Sequence, residues 1–163
     1  MLATNIYTWV RIIKENGLYK CENISGEQLF SVLISFGAFD DYDKYFENKS
    51  KDGDYEIDRI NWILFNIYNM ETGVSNKSKC DYGHFGSGCF NFYPNHPEIN
   101  YCPMFNYDIV TDNYEKTDDG KLIVKINKRY YEDNSPAGSD KMIVGLKLIE
   151  GKRYWSLYEY RTS

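Results

Sequence analysis

The sequence predicts an α+β fold in which N-terminal helices pack on a curved antiparallel sheet of about four strands. Three observations carry this. Apolar residues recur at helical spacing through residues 1–73. They alternate at period two through residues 121–161. The connections between those later runs are too short for crossover helices, so the strands form an antiparallel meander. A chain of 163 residues and 19.2 kDa fits a single domain. It divides into a helical part (1–73), a long irregular loop (74–106) and the meander (107–163).

The helical part reads as follows. Ile6, Trp9, Val10 and Ile13 fall on one helix face after Thr4, which serves as N-cap, and Asn16-Gly17 supplies the stop. Ser25 and Gln28 form a capping box, since each side chain can satisfy the other residue's backbone N–H. Leu29, Phe30, Leu33 and Phe36 continue that helix as an apolar stripe up to Gly37. A short helix over residues 40–48 would bring Tyr42, Tyr45 and Phe46 to one side. The strongest helix spans residues 54–71, with Ile57, Ile60, Leu64, Ile67 and Tyr68 as its stripe. Gly73 closes it.

Residues 74–106 show no clean period and hold Gly83, Gly86, Gly88, Pro94, Pro97 and Pro103. A loop of this length is held by something or is functional. Cys80, His84, Cys89, His96 and Cys102 all lie in it. Thiolate and imidazole are ligands that zinc prefers, and Cys80, His84, Cys89 and Cys102 are the set that would hold one. No close Cys-x-x-Cys pair is present, and no metal is expected. The alternatives are a disulfide and free thiols. Cys80–Cys89 or Cys80–Cys102, with Cys21 on the remaining thiol, would staple the loop if the protein is exported, and closing a loop of about ten residues contributes about 2–3 kcal/mol. The glycines of Gly83-His84-Phe85-Gly86-Ser87-Gly88 read as turn formers, since the run lacks the lysine of a phosphate loop.

The strands follow. Leu122, Val124 and Ile126 alternate with polar residues, and Met142, Val144, Leu146 and Leu148 repeat the pattern. Residues 154–161 make a third, aromatic strand, and residues 107–116 a weaker fourth. Turns fall at Thr117–Gly120, over a longer loop at 134–138, and at the tight hairpin Glu150-Gly151-Lys152.

Net charge is −5, from 19 basic and 24 acidic residues, so bulk attraction to nucleic acid or to an anionic membrane is not expected. Residues 1–70 carry 7 basic and 11 acidic side chains, a net of −4, whereas residues 107–163 carry 10 of each. The excess centres on Asp40, Asp41, Asp43 and Glu47. Such a run is a solvated face or a docking surface for a basic partner. No apolar run reaches the ~20 residues of a membrane span. With Met1 as a native start the chain is expected in the cytoplasm. If a leader had been removed, an extracellular lipoprotein is expected. The 16 tyrosines accompany many Asn, Ile and Lys residues, as A/T-rich codons would give; the functional alternative is a stacking surface.

The stretch from Asp119 to Arg161, ending in Gly151-Lys152-Arg153-Tyr154-Trp155, resembles the closing strands of the NTF2-like superfamily. Residues 57–73 followed by that meander also look like uncharacterised extracellular domains of Firmicutes lipoproteins. The resemblance implies a cone-shaped sheet wrapped on helices with a pocket inside. Some members place an Asp and a His in that pocket as isomerases or dehydratases. No such position transfers, because both histidines lie outside the matching strands.

No catalytic residue and no cofactor is therefore assigned. The expected function is a non-catalytic module binding a protein or a small molecule, with a homodimer through the sheet as one arrangement. One alternative is a small acidic inhibitor, such as an immunity or anti-defence protein. Another is an enzyme using the sheet cavity or the Cys/His loop. Strict alternation puts Tyr154, Tyr158 and Tyr160 on one face of the last strand, opposite Trp155 and Leu157, and that tyrosine face is the candidate binding surface.

Overall fold

The computed structural model describes residues 2–15, 23–42, 55–94 and 107–162. Its architecture is α+β. In chain order the elements are α1 (Leu2–Glu15), α2 (Gly26–Ser35), α3 (Ala38–Asp41), β1 (Tyr55–Glu56), α4 (Ile57–Asn66), β2 (Lys79–Cys80), β3 (Gly83–Gly86) and β4 (Cys89–Phe92). They continue with β5 (Tyr107–Lys116), β6 (Leu122–Tyr130), β7 (Pro136–Ile149) and β8 (Lys152–Thr162). The strands form two antiparallel four-stranded sheets, ordered β1-β4-β3-β2 and β5-β6-β7-β8. The described residues gather into two compact units.

The first unit comprises α1, residues 67–69 and the meander β5–β8. Ile6, Trp9, Val10 and Ile13 are all buried, and α1 lies against β8. The helix begins at Leu2, so Thr4 sits inside its first turn and is not the N-cap. Register follows the sequence pattern on β6 and β7: Leu122 faces Val144, Val124 faces Met142, and Ile126 faces Asp140. Val124, Ile126, Met142 and Val144 are fully buried. Each such side chain contributes roughly 1.5–3 kcal/mol over leaving it in water. Glu150 and Gly151 form the two-residue hairpin turn, both at positive φ (50° and 82°), as the strand twist requires. Strand β7 starts at Pro136, two residues before the end of the expected loop.

One irregularity reorders the last strand. Val144 pairs with Leu157 but Ile143 pairs with Glu159, so Tyr158 is an extra residue in a β-bulge. The bulge flips the phase of everything after it. Leu157 and Tyr160 both enter the core and are fully buried. The backbone of Leu157 is tied to residues 67–69: its N–H donates to the Ile67 carbonyl (2.8 Å), and the Asn69 amide donates to its carbonyl (2.8 Å). This caps part of an otherwise open sheet edge.

The second unit comprises α2, α3, β1, α4 and β2–β4. The Ser25–Gln28 capping box is present, with bonds of 2.9 and 3.1 Å. Phe30 of α2 is the hub of an aromatic core, with Phe39, Phe85 and Phe90 at centroid distances of 5.3, 5.2 and 4.9 Å. Helix α3 starts earlier than expected, at Ala38, and Tyr42 behind it is buried. Tyr45, Phe46 and the expected stop at Asn16-Gly17 lie outside the described residues.

Two expectations for this unit are corrected. The helix expected over 54–71 is shorter, Ile57–Asn66. Asn69 adopts a left-handed conformation (φ 53°) and the Met70 N–H reaches back to the Leu64 carbonyl (2.9 Å), so the chain turns four residues before Gly73. Asn61 then pins the outgoing chain through two bonds to Val74, of 3.0 and 2.7 Å. The loop expected over 74–106 holds regular structure. Strands β3 and β4 pair through a Ser87-Gly88 turn with φ of 52° and 79°, and β2 adds to β3. Aromatic packing holds this part of the segment: Phe85 and Phe90 face each other across the hairpin.

Candidate functional site

Cross-strand register brings together side chains that lie far apart in sequence on the outer face of the meander. The core face of β6 carries Val124, Ile126 and Lys128; the intervening residues face outward. Lys125 on β6 lies opposite Lys141 on β7, and Lys141 lies opposite Arg161 on β8. All three side chains are exposed. Asn113 on β5 extends the same row. Directly opposed side chains have Cβ atoms about 4.5–5.5 Å apart, and like charges at that spacing repel. Neither lysine makes an ion pair among the described residues, while the Nε and Nη2 edge of Arg161 donates to both carboxylate oxygens of Glu159, the Nη2 bond at 2.8 Å.

Beside this row lies a groove of about 480 Å³, lined by Val110, Asn127, Lys128, Arg129, Pro136, Gly138 and Ser139. Asn127 faces Ser139 across the sheet and Val110 on β5, one step from the cationic row. Arg129 stands at the far side, opposite Asp108 and Pro136. The register shift between Lys128 and Arg129 breaks the regular pleat at the groove. An amide and a hydroxyl thus sit between the cationic row and Arg129.

The same face carries an aromatic platform further along β8. Tyr158, the bulge residue, lies over Gly145, where a Cβ would come within 3.0 Å of its ring. The Lys121 ammonium is 4.4 Å from the ring centroid and that of Lys147 5.9 Å. Burial pushes the Lys147 ammonium below its ordinary pKa. Lys121 is shifted the other way by its bond to Asp119 (2.9 Å). The Thr117 hydroxyl and then Lys121 hold the Asp119 carboxyl at about 2.

The three expected tyrosines are not brought together. Tyr154 and Tyr158 are half-buried, whereas Tyr160 is fully buried in the core because the bulge reverses the alternation. There its hydroxyl donates to the Asp140 carboxylate (2.5 Å), which also accepts from Lys128 (2.9 Å). Burial and then the Asp140 bond push the Tyr160 phenol far above its ordinary range.

Among the described residues named for zinc, Cys80, His84 and Cys89 do not converge. Cys80 pairs with Gly83 on the buried face of its sheet, while His84 pairs with Lys79 and Asn91 on the exposed face, where its ring stacks on Tyr93 at 5.8 Å. Cys89 lies at the opposite end of β3, across from Gly86, so Cys80 and Cys89 are both free thiols. Cys102, Cys21 and His96 lie outside the described residues, as do the side chains of Asp40, Asp41, Asp43 and Glu47. Among the described residues no three His, Cys, Asp or Glu side chains cluster to hold a metal. A groove of about 470 Å³ includes Cys80, Asp81, His84 and Tyr93, but the strand separates the thiol from the imidazole.

No protein-family model matches the chain, and neither does any curated protein or solved structure. No helix among the described residues is long and apolar enough to cross a membrane. The cationic row escapes sequence reading because Lys125, Lys141 and Arg161 each look like ordinary outward positions. Only the pairing register aligns them.

Proposed function

We propose that the protein is a non-catalytic binding module that takes an anionic ligand on the outer face of its meander. The observation that carries this is the in-register row Lys125–Lys141–Arg161 beside the groove of Asn127, Arg129 and Ser139. Three aligned cations cost folding energy in the free protein, and an anion bound across them would turn that cost into affinity. Oriented amide and hydroxyl groups in the groove supply hydrogen bonds that fix the ligand's position. Tyr158, with Lys121 and Lys147, extends the face with a ring on which a flat group can stack. The likeness to NTF2-like domains rests on β6–β8, the strands that carry this face, and remains a proposal alongside it.

The test is retention on immobilised heparin, a sulfated polyanion, at low ionic strength. A chain of net charge −5 is repelled in bulk, so retention must come from a local surface. Wild type should bind and elute with salt, and the double variant Lys125→Ser, Lys141→Ser should flow through with its circular dichroism unchanged. Wild type appearing in the flow-through would refute the reading.

A further inference from the structure

The buried pair Lys128–Asp140 stands apart from every other ion pair described. Lys128 is 4% exposed and Asp140 2%, whereas Lys121–Asp119 and Arg161–Glu159 reach into solvent. The two residues sit on adjacent strands, with the ammonium nitrogen 2.9 Å from a carboxylate oxygen. The Tyr107 ring lies 5.6 Å from that nitrogen, and the Tyr160 hydroxyl donates to the same carboxylate oxygen. The lysine's end carbon and nitrogen lie beside Gly138, at ordinary contact distance from where a Cβ would stand.

We propose that this pair is a site of self-modification, at which Lys128 and Asp140 condense to an intramolecular amide that joins β6 to β7. A proton passes from the ammonium to the carboxylate along their hydrogen bond. The neutral Nζ then attacks Cγ of Asp140, forming the N–C bond. The Tyr160 hydroxyl, which donates to the same Oδ2 that took the proton, hydrogen-bonds the oxygen that departs and favours its leaving. The C–O bond breaks, and the oxygen leaves as water with two protons, both from the original ammonium; the third stays on the amide nitrogen. Tyr160 ends unchanged, and no oxidant or other reactant enters. Two features favour the step. The strands hold the reacting atoms in place, so no translational freedom is lost, and both side chains are almost wholly buried although Lys128 borders the groove.

The test is the intact mass of the full-length wild-type chain, measured denatured, both as purified and after prolonged incubation at neutral pH. The expected mass is lower than the sequence mass by one water, with the peptide containing Lys128 joined to that containing Asp140. Asp52-Gly53 and Asp119-Gly120 can lose a water as succinimides, and the peptide map separates these from the cross-link. Lys128→Arg should restore the full mass. Asp140→Asn should form the same bond with loss of ammonia in place of water. Tyr160→Phe should slow bond formation by about 100-fold or more, the usual contribution of a positioned proton donor. A wild-type mass equal to the sequence mass at both times would overturn the proposal. So would a wild-type water loss that maps wholly to Asp52 or Asp119 while Lys128 and Asp140 are recovered in separate peptides.

Discussion

Replacing Lys141 by glutamate should stabilise the protein and abolish anion binding at once. In the wild type Lys141 faces Lys125 on one side and Arg161 on the other. The substitution converts two like-charge pairs into two opposite-charge pairs. A cross-strand pair of this kind is worth roughly 0.2–1 kcal/mol relative to neutral neighbours. Exposure keeps each near the lower end, and Arg161 is already engaged by Glu159, so most of the gain comes from Lys125. The sum is about 0.5–1.5 kcal/mol. For a chain of about 150–250 residues, 1 kcal/mol moves the melting temperature by about 2–4 °C, so Tm should rise by roughly 1–6 °C. The gain should fade in 1 M salt, where the Debye length is about 3 Å. Melting curves by circular dichroism at low and high salt read this directly. Lys77→Glu, in an exposed turn, makes the same change in net charge away from the row and serves as control. A Tm for Lys141→Glu that is unchanged or lower at low salt, or a rise that persists undiminished in 1 M salt, would refute the premise that these cations repel.

Three further outcomes are expected. Gly26→Ala should lower the Tm by roughly 2–12 °C, because its Cβ would lie 2.1 Å from the Thr72 carbonyl oxygen, a backbone atom, and overpacking of this kind costs about 1–3 kcal/mol; an unchanged melt would mean the α2 end yields freely. The Tyr160 phenol is raised above its ordinary 10.0, so the stability it contributes is complete below pH 10 and is lost as pH rises beyond that value; in an alkaline titration some phenolate absorbance should appear only as the circular dichroism signal is lost, and full ionisation of the folded chain would contradict this. In the native protein iodoacetamide should modify half-exposed Cys89 well before buried Cys80, as peptide mapping would show; equal rates would argue against their placement on opposite faces of the sheet.

The regular parts of the fold were readable from residue pattern. The alternation of Val124, Ile126, Met142 and Val144 marks the core face of the meander, and the reciprocal Ser25–Gln28 bonds start α2 as the spacing implies. The binding face was less accessible, for two physical reasons. Period-two counting assumes one residue per register step, and the bulge at Tyr158 breaks that rule, sending Tyr160 inward to Asp140. Proximity in sequence also differs from proximity across a sheet. Cys80 and His84 are four residues apart yet project from opposite faces, whereas Lys125 and Arg161 share one row. The β3–β4 hairpin did leave a signal. Phe90 and Phe92 alternate after a Ser-Gly turn, but strands of four residues rich in glycine are too short for a periodic reading.

The most direct test of the anion-binding face is an amide chemical-shift titration of the labelled full chain with a defined heparin oligosaccharide at low salt. The expected result is saturable perturbation centred on Lys125, Asn127, Ser139, Lys141 and Arg161, suppressed in Lys141→Glu while the rest of the spectrum is retained. Perturbations that map to the second unit, or that survive unchanged in Lys141→Glu, would contradict it.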